Sequence, residues 1–251
     1  MKFDIACTAT LRPELLEKTL SSFNKNLFNN NIGKYCLIIN IDLVGADNKR
    51  EKLSEVLEVI NHFNFNRVIL RWSDNPNFAT AWFWVMSMTT EAYVFYLEED
   101  WLLLRNVNLR KMISLFEEDS TLAHLRLSAF PSSERSLKNW NKFTYWNGSY
   151  FSVEEDDKFS IGWSGHPSMN KTNFLRQAIS QMNYASNPEK QIKGKRYPCR
   201  MNNILLEHSF GVFIKPSEEK QIVDIGRKWM VENGFKKSGN KAFFTQWEKV
   251  F

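Results

Sequence analysis

Three consecutive carboxylates, Glu98, Glu99 and Asp100, close the apolar run Tyr93-Val94-Phe95-Tyr96-Leu97 and are followed by the indole of Trp101. Charges of one sign this close repel one another unless a cation sits among them. Hard oxygen ligands suit Mg²⁺ or Mn²⁺, ions that in turn carry phosphates. The alternative is a strand that ends in a solvated acidic turn. A second acidic run, Glu154-Glu155-Asp156-Asp157, follows the hairpin-type pair Asn147-Gly148 and reads as a turn of that kind. No CxxC occurs, and His62, His124, His166 and His208 show no zinc spacing. Neither GxGxxG nor GxxxxGK[ST] is present, which disfavours dinucleotide oxidoreductases and P-loop enzymes. A diphosphate bound by this chain therefore needs a metal and basic side chains in place of a glycine cradle.

The elements that must position these acids follow from periodicity. An unbroken apolar run reads as a strand covered on both faces, typical of a parallel sheet flanked by helices. Side chains at the carboxyl end of such a strand emerge in the crevice where open α/β sheets bind ligands. Upstream, residues 3–8 form a first strand, and Pro13 opens a helix with Leu15, Leu16, Thr19, Leu20, Phe23 and Leu27 at helical spacing. Residues 35–41 form a second strand that delivers Asp42, followed by a helix carrying Leu53, Val56, Leu57, Ile60 and Phe63. Residues 67–72 form a third strand, and Phe78, Ala81, Trp82, Val85 and Met86 mark a third helix. Three strand–helix repeats predict a mostly parallel sheet with right-handed crossovers.

Beyond Trp101 the pattern gives a helix at 109–116, a strand at 123–129, then shorter polar stretches to about residue 163. Residues 159–170 lead into a helix with Phe174, Leu175 and Ala178, and Asn187-Pro188 reads as a helix cap and first position. A basic segment, 190–200, precedes a helix at 201–208, short strands at 211–215 and 221–225, and a mixed amphipathic tail. No repeat or linker interrupts 1–251, so one domain is expected.

At 251 residues with 43% hydrophobic and 24% charged residues, the chain has an ordinary globular composition. Its net charge of +5 favours anionic partners. Lysines and arginines are dispersed among acids with no dense stripe, which speaks against nucleic acid. Cys7 and Cys36 lie in apolar strands and read as buried thiols of a reducing compartment, whereas Cys199 sits in a polar segment. The start MKFDIACTAT runs into a strand rather than a leader, and the apolar stretch 79–88 is too short to span a bilayer. A cytoplasmic location is expected.

The strand, Thr8-Ala9-Thr10-Leu11-Arg12-Pro13, the strand ending at Asp42, the Asn77-Phe78-Ala79-Thr80-Ala81 helix and YVFYLEEDW together resemble a GT-A glycosyltransferase, closest to the small bacterial and viral-type, family 2-like enzymes whose metal motif reads E-D-D-W. The absence of glycine before Gly33 sets the chain apart from sugar-nucleotidyltransferases, which carry a glycine-rich loop there. The resemblance is strongest over 3–104, and it implies a Rossmann-like α/β GT-A fold with a smaller antiparallel C-terminal part. It makes 1–104 the nucleotide-binding half and 105–251 the acceptor-binding half. It implies a bacterial, phage or viral origin, the host cytoplasm in the last case.

By the same resemblance, Thr8, Thr10, Arg12 and Asp42 hold the nucleoside, and the DXD motif falls on Glu98, Glu99 and Asp100. Asp100 then ligates Mn²⁺ or Mg²⁺, with Glu98 or Asp224, the latter standing where the family often has a histidine. Glu189 corresponds to the general base, with Glu207 in reserve. Arg196, Arg200 or Arg227 adds charge at the leaving group, and Trp163 or Trp101 walls the sugar. The implied partners are a nucleotide sugar (UDP favoured, GDP the alternative) and a glycan hydroxyl. Two other classes fit the composition: a non-catalytic glycan- or nucleic-acid-binding module, and a glycosidase, which also needs paired carboxylates.

Overall fold

The computed structural model describes residues 2–133, 143–153, 158, 164–192, 199–238 and 246–250, leaving aside the side chains of 144, 199, 200, 238 and 246. The first half alternates strand and helix as its periodicity requires: β1 (Asp4–Thr10), α1 (Pro13–Asn26), β2 (Cys36–Asp42), α2 (Lys49–His62), β3 (Arg67–Ser73), α3 (Phe78–Ser87) and β4 (Tyr93–Glu98). Pro13 occupies the first turn of α1, where its missing N–H is harmless. Asn77 caps α3 by accepting from the Thr80 N–H. After β4 come β5 (Trp101–Leu103), α4 (Leu109–Glu118), β6 (Leu122–Arg126), the hairpin β7 (Phe143–Trp146) and β8 (Phe151–Val153), and β9 (Ser168–Lys171). The rest is α5 (Thr172–Ile179), α6 (Pro188–Gln191), α7 (Cys199–Leu206), β10 (Ser209–Val212), β11 (Ile222–Asp224), α8 (Gly226–Glu232), β12 (Phe235–Ser238) and β13 (Gln246–Lys249).

Nine strands form one sheet in the order β3-β2-β1-β4-β9-β6-β10-β8-β7. The first four are parallel, β9 runs antiparallel between β4 and β6, and β10 is parallel to β6. Two small antiparallel sheets, β5–β11 and β12–β13, complete the C-terminal part. The mixed α/β expectation therefore holds. It needs one correction: residues 168–171, expected as a lead-in to a helix, are a strand at the centre of the sheet. Their polar sequence, Ser-Met-Asn-Lys, hides this, because Asn170 satisfies its amide on His124 and Ser168 instead of facing water.

Both faces of β1, β2 and β4 are buried, as the unbroken apolar strands require, whereas the edge strand β3 is half exposed. Ile5, Cys7, Leu37, Ile39, Phe95 and Leu97 pack under α1, α2 and α4. Ala6, Ile38, Val94 and Tyr96 pack against α3, α5 and α7. The thiols of Cys7 and Cys36 are free, Cys7 fully enclosed. A third, smaller cluster (Leu15, Trp229 and Met230, with Phe235 and Trp247 against it) joins the start of α1 to the C-terminal elements. Among the described residues no helix is long and apolar enough to cross a membrane.

Candidate active site

Register brings the predicted residues to one end of the sheet. Thr8 pairs with both Asn40 and Glu98, and Thr10 pairs with Asp42, so the ends of β1, β2 and β4 lie side by side. Glu99 turns inward. Its Oε1 accepts from the Thr10 N–H at 3.1 Å, the Thr10 hydroxyl at 2.8 Å, Arg12 Nε at 3.0 Å and Arg12 Nη2. The Thr19 hydroxyl donates to its carbonyl at 2.6 Å. Asp100 accepts from Arg12 Nη2 at 2.9 Å, and its carbonyl accepts the Ile225 N–H at 2.9 Å. Arg12 is only 2% exposed. Burial alone would lower its pKa, but Glu99 and Asp100 more than reverse that, so the guanidinium stays charged. Tyr96 ties the remaining parts together: its hydroxyl lies 3.0 Å from Thr8 Oγ1 and 3.1 Å from Glu98 Oε1.

A second group arrives from the other half. Asn187 caps α6 by accepting the Glu189 N–H at 2.9 Å, and Glu189 in turn accepts the Gly165 N–H. A Cβ at Gly165 would stand 2.5 Å from Glu98 Oε1 and 3.1 Å from Glu189 Oε1, so the two carboxylates flank one glycine, and a side chain there would push Glu98 aside. Burial, then Asp100 and Glu189, push the Glu98 carboxyl well above the usual carboxylate range. Beside them lies Arg126, at the end of β6. It is 5% exposed, with Nη1 donating to Ser164 Oγ at 3.1 Å and its guanidinium 4.6 Å over the Phe143 ring. Burial lowers its pKa to about 10 and Glu189 opposes the fall, so it remains a cation at neutral pH.

Asp42 is 8% exposed and accepts from Asn40 Nδ2 at 2.9 Å and from the Asn77 N–H at 3.0 Å. Burial outweighs those bonds and raises its pKa from 3.8 to about 6. A raised pKa means that the folded chain holds the proton more tightly than the unfolded one. Asp42 therefore contributes stability that is full below about pH 4 and gone once the pH passes about 6. The difference in unfolding free energy between Asp42→Asn and wild type should shift by about 3 kcal/mol in the variant's favour from pH 4 to pH 7.5. Urea titrations at the two pH values measure it; a constant difference would refute it.

Comparison with known proteins bears on the fold. No family model and no curated protein matches the chain. Among solved structures, S. aureus TarS 1-349 in complex with UDP-GlcNAc superposes with a TM-score of 0.56 at 12% identity, covering 88% of this chain and 58% of that one. The mannosyltransferase PcManGT from Pyrobaculum calidifontis, in complex with GDP-Man and Mn²⁺, gives 0.56 at 11% identity, covering 86% and 55%. The fold is GT-A-like. A CMP:2-keto-3-deoxy-manno-octonic acid synthetase complexed with CTP also matches, at TM-score 0.51 and 12% identity over 93% of this chain. The chain spans 36% of the first TarS structure's length and 63% of its 1-349 form.

On this GT-A-like frame, Thr8, Thr10, Arg12, Asp42, Glu98, Glu99 and Asp100 come together, and Glu189 joins them through Gly165. Trp101 is buried on β5 with its ring 4.9 Å from that of His166, packed edge to face. Glu207 does not join them. It is exposed at the end of α7, just before β10, and β10 starts beside the start of β6, at the opposite end of the sheet. An acid on a helix that feeds a strand of this direction necessarily lies at the far end. Arg227 points outward, its side chain 91% exposed, and pairs with Asp224 at 3.0 Å. Trp163 and Arg196, and the side chain of Arg200, lie outside the described residues. Arg126, Tyr96, Gly165, Gly226, Trp229 and Trp247 were not singled out by sequence reasoning. Only Arg126, a lone cation inside an apolar strand, carried a usable signal.

Carboxylate oxygens are the donors a hard divalent cation takes, and here they lie close together and largely out of water, with burial and then Asp100 and Glu189 driving Glu98 toward its neutral form. The acids are nonetheless turned to other partners. Asp100 faces Arg12, and Asp224 accepts the N–H groups of Gly226 at 2.8 Å and Arg227 at 3.2 Å, capping α8. Among the described residues no three His, Cys, Asp or Glu side chains converge as a cation cage.

Proposed function

We propose that the chain transfers a sugar from a nucleotide-sugar donor, UDP-linked or GDP-linked, to a hydroxyl of a glycan acceptor. The observation that supports this best is the meeting of Glu98 and Glu189 at Gly165, because it joins a base on the 105–251 half to the diphosphate end of the 1–104 half. Thr8, Thr10 and Asp42 line the nucleoside side. Asp100, with Glu98 or Asp224, would hold Mn²⁺ or Mg²⁺, which supplies positive charge against the departing nucleoside diphosphate. Glu189, its Oε1 held by the Gly165 N–H, takes the proton of the acceptor hydroxyl as that oxygen attacks the anomeric carbon. The C–O bond to the diphosphate breaks as the glycosidic bond forms. Arg126 keeps a positive charge beside the base. Trp101 or Trp163 would wall the sugar.

Thermal unfolding with UDP-GlcNAc or GDP-Man and Mn²⁺ tests the reading. At a free ligand concentration a hundredfold above Kd the native state gains about 2.7 kcal/mol, several degrees of Tm. Stabilisation that requires both nucleotide sugar and metal supports it, as does a new glycoside in the product mixture. Stabilisation by an oligonucleotide alone would favour the binding-module alternative. Hydrolysis of a preformed glycoside, with no sugar transferred, would favour the glycosidase.

A further inference from the structure

Among the described residues two arginines are buried, Arg12 and Arg126, and their surroundings differ. Arg12 is paired with Glu99 and Asp100, and its guanidinium lies 5.4 Å over the ring of Trp229 and 5.0 Å over that of Trp247. Arg126 donates from Nη1 to Ser164 Oγ and faces the Phe143 ring, but among the described residues it makes no salt bridge and no other side-chain hydrogen bond. A cation taken out of water is costly unless an anion meets it, and an arginine this enclosed is ordinarily paired. A neutral hydroxyl and a ring face offset only part of that cost. Glu189 is the acid whose charge acts on Arg126, yet its Oε1 is turned to the Gly165 N–H. Ser164 and Gly165 are consecutive, so one short stretch of chain holds the cation and the carboxylate side by side without joining them. The edge formed by Nε and Nη2 is left, and that fork matches a carboxylate or a phosphate in two parallel bonds.

We propose that Arg126 is an anion-binding residue of the acceptor side, taking a carboxylate or phosphate carried by the acceptor sugar whose hydroxyl Glu189 deprotonates. The proposal rests on the reading of Glu189 as the base, and it goes further in making the acceptor an acidic glycan. Register supports the assignment to the acceptor. Arg126 pairs with Ser168, which pairs with Tyr96, so the three side chains leave one face of the sheet in a row. Two strand spacings, about 10 Å, separate Arg126 from Tyr96, whose hydroxyl bonds Glu98. Four spacings, about 19 Å, separate β6 from β2, which carries Asp42. An anion on Arg126 therefore lies beyond a diphosphate seated at the end of β4, on the side of Glu189. Glu98 and Glu189 would repel an acidic acceptor, and the charge of Arg126 offsets that repulsion where the acceptor has to sit.

The test is an array of immobilised glycans in matched sets ending in glucose, glucuronic acid or glucose 6-phosphate, with the corresponding galactose and mannose sets. Wild type, Arg126→Gln and Arg126→Lys are compared on it. A hydrogen-bonded charge pair corresponds to roughly a tenfold to hundredfold change in an equilibrium constant. Wild type should therefore retain an acidic member of a set at least tenfold more tightly than its neutral counterpart, and the acidic member that is held tells carboxylate from phosphate. Arg126→Gln should abolish that preference. Arg126→Lys, which keeps the charge and loses the fork, should fall between them, and it carries the test if the glutamine variant does not fold. The preference is a ratio within one preparation, so it does not depend on how much of a variant is folded. Equal retention of acidic and neutral members by wild type, retention of no glycan, or a preference that survives Arg126→Gln would overturn the proposal. A loss that is the same for acidic and neutral members would overturn it too, by making Arg126 a support for Glu189 alone. Sugar transfer from UDP-GlcNAc or GDP-Man to neutral glycans as readily as to acidic ones would remove the anion site and leave the transferase reading standing. Acidic glycans held through Arg126 by a chain that no nucleotide sugar stabilises would do the reverse.

Discussion

Glu189→Gln should lower sugar transfer by about 10²–10⁴-fold, the range for loss of a general base, while Tm stays within about 2 °C of wild type. The substitution is close to isosteric, and the geometry that fixes the side chain survives it. Asn187 still caps α6 through the residue-189 N–H, Pro188 still sets the first turn, and a glutamine Oε1 still accepts the Gly165 N–H. What is lost is basicity, because a carboxamide cannot take a proton from an attacking hydroxyl. Donor affinity should be unchanged, since no nucleoside-side residue moves. Initial rates at saturating donor, together with isothermal titration of the nucleotide sugar, separate the two. Transfer within threefold of wild type would remove Glu189 from the chemistry.

Gly226→Ala should destabilise the fold by roughly 3–5 kcal/mol, a fall in Tm on the order of 10 °C. Helix propensity alone points the other way, since alanine is the better helix former by about 1 kcal/mol and Gly226 does not need a left-handed φ. The clash decides. A Cβ at this position would lie 2.7 Å from Asp100 Cγ and 2.9 Å from Asp100 Cβ, and closer still to Oδ2. An aspartate side chain is too short to swing aside, so either Asp100 leaves Arg12 or α8 lifts. Parting a buried pair strands a charge, which is why the loss is large. Urea unfolding measures it; a change under 1 kcal/mol would mean that Asp100 relaxes without losing its partner.

The first half of the chain was legible because one signal dominated it. Apolar strands alternating with 3.6-period helices fix both the parallel order and the end at which Thr10, Asp42 and Glu98 emerge. Hydrogen-bonding detail was not legible there: nothing in Glu98-Glu99-Asp100 marks the middle acid as the one folded inward onto Thr10 and Arg12. The second half was read less well. Strand β9 is polar and short, and its place depends on partners more than 70 residues away on β4 and more than 40 residues away on β6, beyond the reach of local pattern. The distance of Glu207 from the other acids was not legible, because helix spacing says nothing about which end of a sheet a helix feeds. Trp229 and Trp247 act through a guanidinium over 200 residues earlier in the chain, a relation that only folding reveals.

The position of β9 also bears on how the chain comes off the ribosome. Strand β4 pairs with β1 on one side as soon as it is made, but its other edge waits for residues 168–171. For some seventy residues of synthesis the run Tyr93-Val94-Phe95-Tyr96-Leu97 presents unpaired backbone and aromatic side chains. That is the composition most prone to edge-to-edge association, and late, non-local closure of this kind slows folding. Yield of soluble chain should therefore depend on translation speed and chaperone supply more than on the stability of the finished sheet.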